Sequence, residues 1–348
     1  MSVYQDRFQA VVELGNTFQS FITENKANTG FSEAFKPLEN LITLAGHKNG
    51  WFTRENVLHA LEQWVALLRA SSLEQWMSGY SKPSNTPKVF IIMAGNIPLV
   101  GFHDFLTAYL AGANIIIKAS SNDKILLPWM IDFLNSKTGE PIQNIQIVEQ
   151  FKGEYDGLIA TGSNNTARYF EHYFGSKPHI IRKNRSSIGV LTGHETPEML
   201  RALGEDIFRY YGLGCRSVSK LYVPKGYDFD LFFNAIYDYK DHIHYEKYSN
   251  NYDYNKAVYL MSGFKIIDNG FLILKEDLSF SSPIGSLFYE TYVNLENLNK
   301  LIDINKEFIQ CVVGPSEING AIAFGETQKP SLSDYADGVD TMKFILSL

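Results

Sequence analysis

Apolar residues near the start of the chain recur at helical spacing. Phe8, Val11, Val12, Leu14 and Phe18 form one such series, and Val57, Leu58, Leu61, Trp64 and Leu67 form a second. Thr53, with Asn56 three residues on, stands where a hydroxyl caps the second helix. Helices are therefore expected until the breaker Ser81-Lys82-Pro83-Ser84-Asn85-Thr86-Pro87. Beyond it, strand and helix patterns alternate. Val89-Phe90-Ile91-Ile92-Met93 is a buried strand, Ala94-Gly95-Asn96-Ile97-Pro98 a turn, and residues from about Gly101 to Ala111 a helix closed by Gly112. Asn114-Ile115-Ile116-Ile117-Lys118 is the next strand, and Asn122 is placed to cap a helix running to about Leu134.

Short strands near Ile145 to Val148 and Gly157 to Thr161, with a helix after Ser163, continue this rhythm. Such alternation predicts a mostly parallel sheet covered on both faces, here in a nucleotide-binding α/β domain ending near Ser187. A further strand, Ile188 to Leu191, follows. Thr196-Pro197 then opens a helix that ends at Gly212-Leu213-Gly214. Cys215 comes next, before the strand Ser219-Lys220-Leu221-Tyr222-Val223-Pro224, so a second α/β domain presents it on a helix-to-strand turn. From about Phe324 the chain is turn-rich and reads as a terminal arm or lid. No internal repeat or low-complexity segment is present.

Composition narrows the function class. A chain of 348 residues, 45% hydrophobic and 20% charged, suffices for two packed domains or one large α/β unit. Its formal charge of -7 is spread out, and no basic run interleaved with aromatics offers a nucleic-acid footprint. The opening residues lack the pattern of a secretory signal, and no apolar run approaches membrane-spanning length. Two distant cysteines, Cys215 and Cys311, argue against a disulfide framework or a cysteine-based zinc site. A reducing, cytoplasmic setting is expected.

Cys215 is the sharpest chemical signal. Gly212 and Gly214 clear space for a carbonyl to reach the sulfur and for backbone N–H groups to face an oxyanion, and Arg216 beside it favours thiolate. The local residues fit equally well a small side chain packed beside a glycine turn. Gly162-Ser163, between a strand and a helix, could present N–H groups to a pyrophosphate or be an ordinary turn. Lys118 ends a strand where ligands bind in open α/β sheets. The basic residues Arg182, Lys183 and Arg185 could meet phosphates but read rather as a solvated face. His242-Ile243-His244 lacks a third metal ligand and reads as surface, Cys311 reads as core, and no metal is expected. No G-x-G-x-x-G fingerprint occurs, which disfavours a standard Rossmann dehydrogenase.

Over nearly its whole length the chain resembles the aldehyde dehydrogenase superfamily, and within it the LuxC-type acyl-CoA reductases. Met93-Ala94-Gly95-Asn96-Ile97-Pro98-Leu99 is similar to the superfamily's strand-to-helix turn, which implies that the Asn96 amide helps hold an oxyanion. Ile117-Lys118-Ala119-Ser120-Ser121 looks like the strand whose lysine reaches the adenosine ribose or its 2′-phosphate, and Thr161-Gly162-Ser163 like the second cofactor turn. Gly214-Cys215-Arg216 through Pro224 matches the nucleophile segment. The closer likeness to LuxC rests on residues 211–220, Tyr211 to Lys220, and on the tail from Gln328 to Thr341.

The resemblance implies an aldehyde dehydrogenase-like α/β fold with two Rossmann-like α/β domains, one for cofactor and one catalytic. Residues 1–187 would hold N-terminal helices and the nicotinamide-cofactor domain, 188–323 the catalytic domain, and 324–348 a short C-terminal arm. It implies reduction of a fatty or other acyl-CoA, or acyl thioester, to aldehyde through acyl-Cys215, with NADPH, NADH being possible. Cys215 and Asn96 would be catalytic, and Lys118, Ser120, Gly162 and Ser163 would bind cofactor. A homo-oligomer is the family expectation. The oxidising members place a glutamate base where this chain has Ile181-Arg182-Lys183-Asn184-Arg185-Ser186, with no carboxylate to activate water. A thioester there should survive for thiol exchange or hydride transfer. The glutamate that holds the nicotinamide ribose is also missing near Ser279 to Ser282. Two other readings remain: an NADH-dependent short-chain acylating aldehyde dehydrogenase, and a non-reducing acyl carrier or regulatory protein.

Overall fold

A computed structural model of the chain describes residues 3–27, 30–81, 85–138 and 144–348, and for Val3 and Tyr4 the backbone alone. Lys82, Pro83 and Ser84 of the expected breaker lie outside the described residues. The chain folds into two compact units, Met1–Lys183 with Ser331–Leu348, and Asn184–Pro330.

The first unit opens with the helices α1 (Val3–Ala27), α2 (Lys36–Lys48), α3 (Arg54–Leu67) and α4 (Ala70–Met77). Val11, Leu14 and Phe18 of α1 and Val57 and Leu61 of α3 are buried, as their spacing predicts. Thr53 accepts the N–H of Asn56 at 3.3 Å and caps α3. Arg7 reaches from α1 to the Tyr109 carbonyl at 2.8 Å. Next come β1 (Lys88–Ile92), α5 (Phe102–Leu110), β2 (Asn114–Lys118), α6 (Leu126–Lys137), β3 (Ile145–Ile147), β4 (Gly157–Thr161), α7 (Asn164–Phe174) and β5 (His179–Arg182). The five strands are all parallel, in the order β3-β2-β1-β4-β5. Successive connections leave β1 first on one side and then on the other. This sets a topological switch beside β1, where open α/β sheets bind ligands at the carboxyl ends of strands.

The second unit contains β6 (Ser186–Val190), α8 (Pro197–Phe208), a 3-10 turn at Arg209–Gly212, β7 (Val218–Pro224), α9 (Asp230–Ala235), α10 (Glu246–Met261), β8 (Ile266–Asp268), β9 (Ile273–Glu276), β10 (Ser286–Tyr292), α11 (Leu295–Ile304) and β11 (Ile309–Val313). Its sheet runs β11-β6-β7-β10-β9-β8, and only the edge strand β8 is antiparallel to its neighbour. Ile188, Val190, Tyr222, Leu298 and Ile302 are among the residues of its core. The chain then ends in the first unit with α12 (Thr341–Leu346). Trp76 donates to the Tyr335 hydroxyl at 2.7 Å there, and Met342 and Ile345 are buried.

Four sequence expectations are corrected. Asn122 does not cap α6, which starts at Leu126 without a side-chain cap. The residues before it turn instead, with the Asn122 N–H on the Ser120 hydroxyl at 3.3 Å, and Pro128 falls in the first helical turn, where it sacrifices no hydrogen bond. The helix after Thr196 stops at Phe208, short of Gly212, because Tyr210 and Tyr211 take positive φ angles of 55° and 56°. Arg182 is not on a solvated face. Every second residue of β5 points inward, so Ile180 and Arg182 are both buried, and Asp104 of α5 meets the guanidinium at 2.5 and 2.9 Å. His242 is half-buried against the rings of Tyr211 and Phe208, whereas His244 is exposed. No helix among the described residues is long and apolar enough to cross a membrane.

Candidate active site

In the second unit, α8 is started by Thr196, whose hydroxyl accepts the Met199 N–H at 3.3 Å. Beyond α8, Tyr210, Tyr211 and Gly212, with φ of 55°, 56° and 75°, turn the chain through left-handed backbone. Cys215 lies in the tight turn closed by the Ser217 N–H on the Gly214 carbonyl at 2.9 Å. Its own carbonyl accepts the Ser187 hydroxyl of β6 at 3.0 Å. Cys215 is exposed and Cys311 buried, and neither is in a disulfide. Arg216, the next residue in sequence, donates from Nε to the Thr327 carbonyl, so its guanidinium is fixed by the backbone of a distant segment.

β7 leads away from this turn and braces the loop after β9. Ser219 donates to the Phe280 carbonyl at 2.7 Å. Lys220, wholly buried, donates to the Leu278 carbonyl at 2.9 Å and to Glu290 at 2.6 Å, between the rings of Tyr222 and Phe280. Ser279 to Ser282 holds no carboxylate, and the acidic groups described beside it, Asp277 and Glu290, are paired with Lys275 and Lys220.

In the first unit, three candidate segments meet at the carboxyl edge of the sheet. Ile92 of β1 pairs with Lys118 of β2 on one side and with Ala160 of β4 on the other. The turn carrying Asn96 leaves β1, Lys118 ends β2, and Gly162-Ser163 follows β4. Asn96 and Lys118 are exposed. The Asn96 turn touches the loop after Lys118: a Cβ on Gly95 would lie 2.6 Å from both Cβ and Oγ of Ser120. The turn is further set by Leu99, with φ of 60°. Asp123 supports it by accepting the Leu99 N–H, and burial pushes that carboxyl up to about 6.

Ser163 caps α7, accepting the Thr166 N–H at 3.2 Å, while the Gly162 N–H donates to the Arg182 carbonyl at 3.2 Å. A Cβ on Gly162 would lie 3.0 Å from the Thr166 side chain, so glycine keeps this turn close to its helix. Lys124, bonded to Glu149 at 2.6 Å, holds that exposed carboxylate below its ordinary value, with a smaller effect from Lys118.

Among the described residues, four non-glycine residues have positive φ, and three of them, Leu99, Tyr210 and Tyr211, lie in or next to the turns of Asn96 and Cys215. Left-handed backbone costs roughly 1–2 kcal/mol at such residues and concentrates at functional sites. No group of three or more His, Cys, Asp or Glu suited to a metal occurs among the described residues. Sequence reasoning missed Asp123, Asp206 and Lys220. Asp206 falls three residues after Leu203 and one before Ile207 on the buried stripe of α8, and Lys220 interrupts a buried strand. A charged residue at an apolar position was the available signal for both. Nothing in the sequence marks Asp123.

The fold is that of the aldehyde dehydrogenases. A NAD-dependent aldehyde dehydrogenase from Sinorhizobium meliloti superposes with a TM-score of 0.65 at 12% identity, covering 96% of this chain and 72% of that one. Aldehyde dehydrogenase 21 from Physcomitrella patens, solved with its reaction product succinate, gives 0.63 at 13% identity, covering 93% and 79%. The aldehyde dehydrogenase KauB from Pseudomonas aeruginosa gives 0.61 at 14%, covering 86% and 70%. No curated protein sequence matches the chain. The profile of the LuxC acyl-CoA reductase family matches residues 36–231, more than half of the chain. The chain belongs to that family, and is an oxidoreductase of the acyl-CoA reductase and aldehyde dehydrogenase kind.

Proposed function

We propose that the chain reduces an acyl-CoA, or a related acyl thioester, to the aldehyde with NADPH, through an acyl group carried on Cys215. The observation that carries this reading is the setting of Cys215: an exposed thiol on a turn reached through left-handed backbone, followed by an arginine whose side chain is fixed on the Thr327 carbonyl. A packing residue needs none of this, and Cys311 shows the ordinary alternative.

The Cys215 thiolate attacks the thioester carbonyl and CoA leaves as thiolate, so one S–C bond forms as another breaks. The Cys215 backbone N–H is assigned to the developing oxyanion, and for the Asn96 amide that role is what the likeness to the superfamily implies. Between Ile181 and Ser186 no carboxylate stands to activate water, and Arg182 in that segment is buried against Asp104. Hydrolysis to free acid is therefore disfavoured. Collapse of the reduced adduct returns the sulfur as leaving group and releases aldehyde.

The carboxyl edge of β2, β1 and β4 fits a dinucleotide: an exposed ammonium at Lys118, a hydroxyl at Ser120, and turns kept low by Gly95 and Gly162. Lys118 and Ser120 would hold the adenosine ribose or its 2′-phosphate. Gly162 and Ser163 would shape the wall at the start of α7, since the Gly162 N–H and the Ser163 hydroxyl already have partners. When bound, the cofactor would supply hydride to the acyl carbon.

Steady-state NADPH oxidation with a series of acyl-CoAs, for the native chain and Cys215→Ser, tests the proposal. Oxidation matched by aldehyde and CoA release, lost in the serine variant, is the expected result. Faster turnover with NADH and short acyl groups would favour the acylating aldehyde dehydrogenase reading. Acyl labelling without turnover by either cofactor would favour a carrier.

A further inference from the structure

We propose that Asp206 is a positioning residue for Cys215: its buried carboxylate organises residues 325–328, and that segment fixes Arg216 and Ser217, the two residues that follow the nucleophile. The inference rests on Cys215 being the nucleophile and goes beyond it.

Asp206 is fully buried on α8. Its carboxylate accepts the Gly325 N–H at 2.6 Å, the Thr327 N–H at 3.0 Å and the Thr327 hydroxyl at 2.8 Å. Gly325, at φ 85°, presses so closely on α8 that a Cβ there would lie 3.1 Å from that of Ala202. So pinned, the segment turns its other side to the nucleophile's turn. The Thr327 carbonyl accepts Nε of Arg216, and the Gln328 amide donates to the Ser217 hydroxyl at 3.4 Å. Cys215, Arg216 and Ser217 are thus each held from outside their turn, the first by Ser187 and the other two by the segment that Asp206 organises.

Retaining this carboxylate is costly. Burial pushes its pKa up, the neighbouring charge of Glu205 adds to that, and the three donors from Gly325 and Thr327 pull it back. Glu205 itself is held by Arg209 and by the Tyr239 hydroxyl, so no cation is left to Asp206 from that side among the described residues. An expensive group of this kind is explained by what it places. We take the charge of Arg216, next in sequence to the nucleophile, to favour the thiolate, and a planar Nε–H docked on a fixed carbonyl sets where that charge lies.

The test is alkylation of Cys215 by iodoacetamide across pH in the full chain, followed by peptide mass. Native protein, Asp206→Asn, Arg216→Gln and the double variant are compared after circular dichroism has matched their folds. Arg216→Gln is expected to move the alkylation midpoint up by about one pH unit, which is about tenfold slower alkylation at neutral pH. Asp206→Asn should move it the same way, and the double variant should be no slower than the slower single, because both act through one contact. Steady-state turnover of Asp206→Asn should show kcat lowered with KM for acyl-CoA unchanged. A native midpoint in Asp206→Asn, or full additivity in the double variant, overturns the proposal. If Asp206→Asn fails to fold, Thr327→Val, which deletes one donor to the carboxylate, replaces it: a smaller upward shift is expected, and none overturns the proposal. Alkylation needs neither acyl-CoA nor NADPH, so a native chain without turnover would sink the reductase reading and leave this one standing.

Discussion

Cys215 and Cys311 carry the same thiol in opposite surroundings. Cys311 sits inside β11, buried with Val312 and Val313, while Cys215 stands exposed where α8 gives way to β7. The sequence separates them because glycines flank one and apolar residues the other. What it does not reveal is which charges are sequestered. Arg182, in a run of basic residues, reads as solvated and is buried, because its partner Asp104 lies far away in sequence. Asp123 is hidden for a similar reason: its burial comes from the turn it supports. Its Oδ1 has no hydrogen-bond partner among the described residues, and its carboxyl is raised from 3.8 to about 6. The folded chain therefore holds this proton more tightly than the unfolded chain does. Below pH about 4 both states are protonated and the group is neutral in its effect; above about 6 both are ionised and the folded state bears the full cost of the buried charge. Asp123→Asn keeps an acceptor for the Leu99 N–H. It is expected to raise stability by at most about 3 kcal/mol at pH 8 and by almost nothing at pH 4. Chemical denaturation at the two pH values checks this, and an equal gain at both, or a loss at pH 8, would contradict it.

At the scale of elements, β1, β2 and β4 were legible as short apolar runs between turn residues, and their register places the turns of Asn96, Lys118 and Gly162 side by side. Helix ends were legible where a hydroxyl caps them, at Thr53, Ser163 and Thr196, and misleading where a turn stands in, at Asn122. The helix α10 gave no signal. Its buried stripe is Tyr248, Tyr252, Asn255 and Tyr259, residues that count as polar yet pack through their rings or find partners, so apolar spacing never appears. The contact between Gly95 and Ser120 belongs to this scale, since it joins the turn after β1 to the loop after β2. Gly95→Ala forces the two apart. It is expected to raise KM for NADPH and lower kcat, each by roughly tenfold, because small displacements of positioning groups are amplified in rate. Gly79→Ala, whose Cβ would make only an ordinary contact at 3.7 Å, is the control and should behave as the native chain. Native kinetics in Gly95→Ala would show that the loop contact does not set the site.

Both units set their candidate residues in turns at the ends of parallel strands. In the first unit, Asn96 and the cofactor candidates follow the carboxyl ends of β1, β2 and β4, with Leu99 in left-handed backbone after Asn96; in the second, Cys215 precedes β7, after the left-handed turn of Tyr210, Tyr211 and Gly212. The alternation of strand and helix made both sheets legible up to Pro224. Beyond it the pattern was silent, because β8 and β9 are short and the segment is rich in tyrosine. The chemistry is condensed into one claim, that an acyl group rests on Cys215 and leaves it by reduction. The most direct measurement is intact-protein and peptide mass after mixing the native chain with an acyl-CoA and no NADPH, then again after NADPH is added. An acyl increment on the Cys215 peptide that persists in water and disappears on adding NADPH, with one equivalent of aldehyde released, is the expected result. No increment, or an increment lost as free acid whether or not NADPH is present, would contradict it.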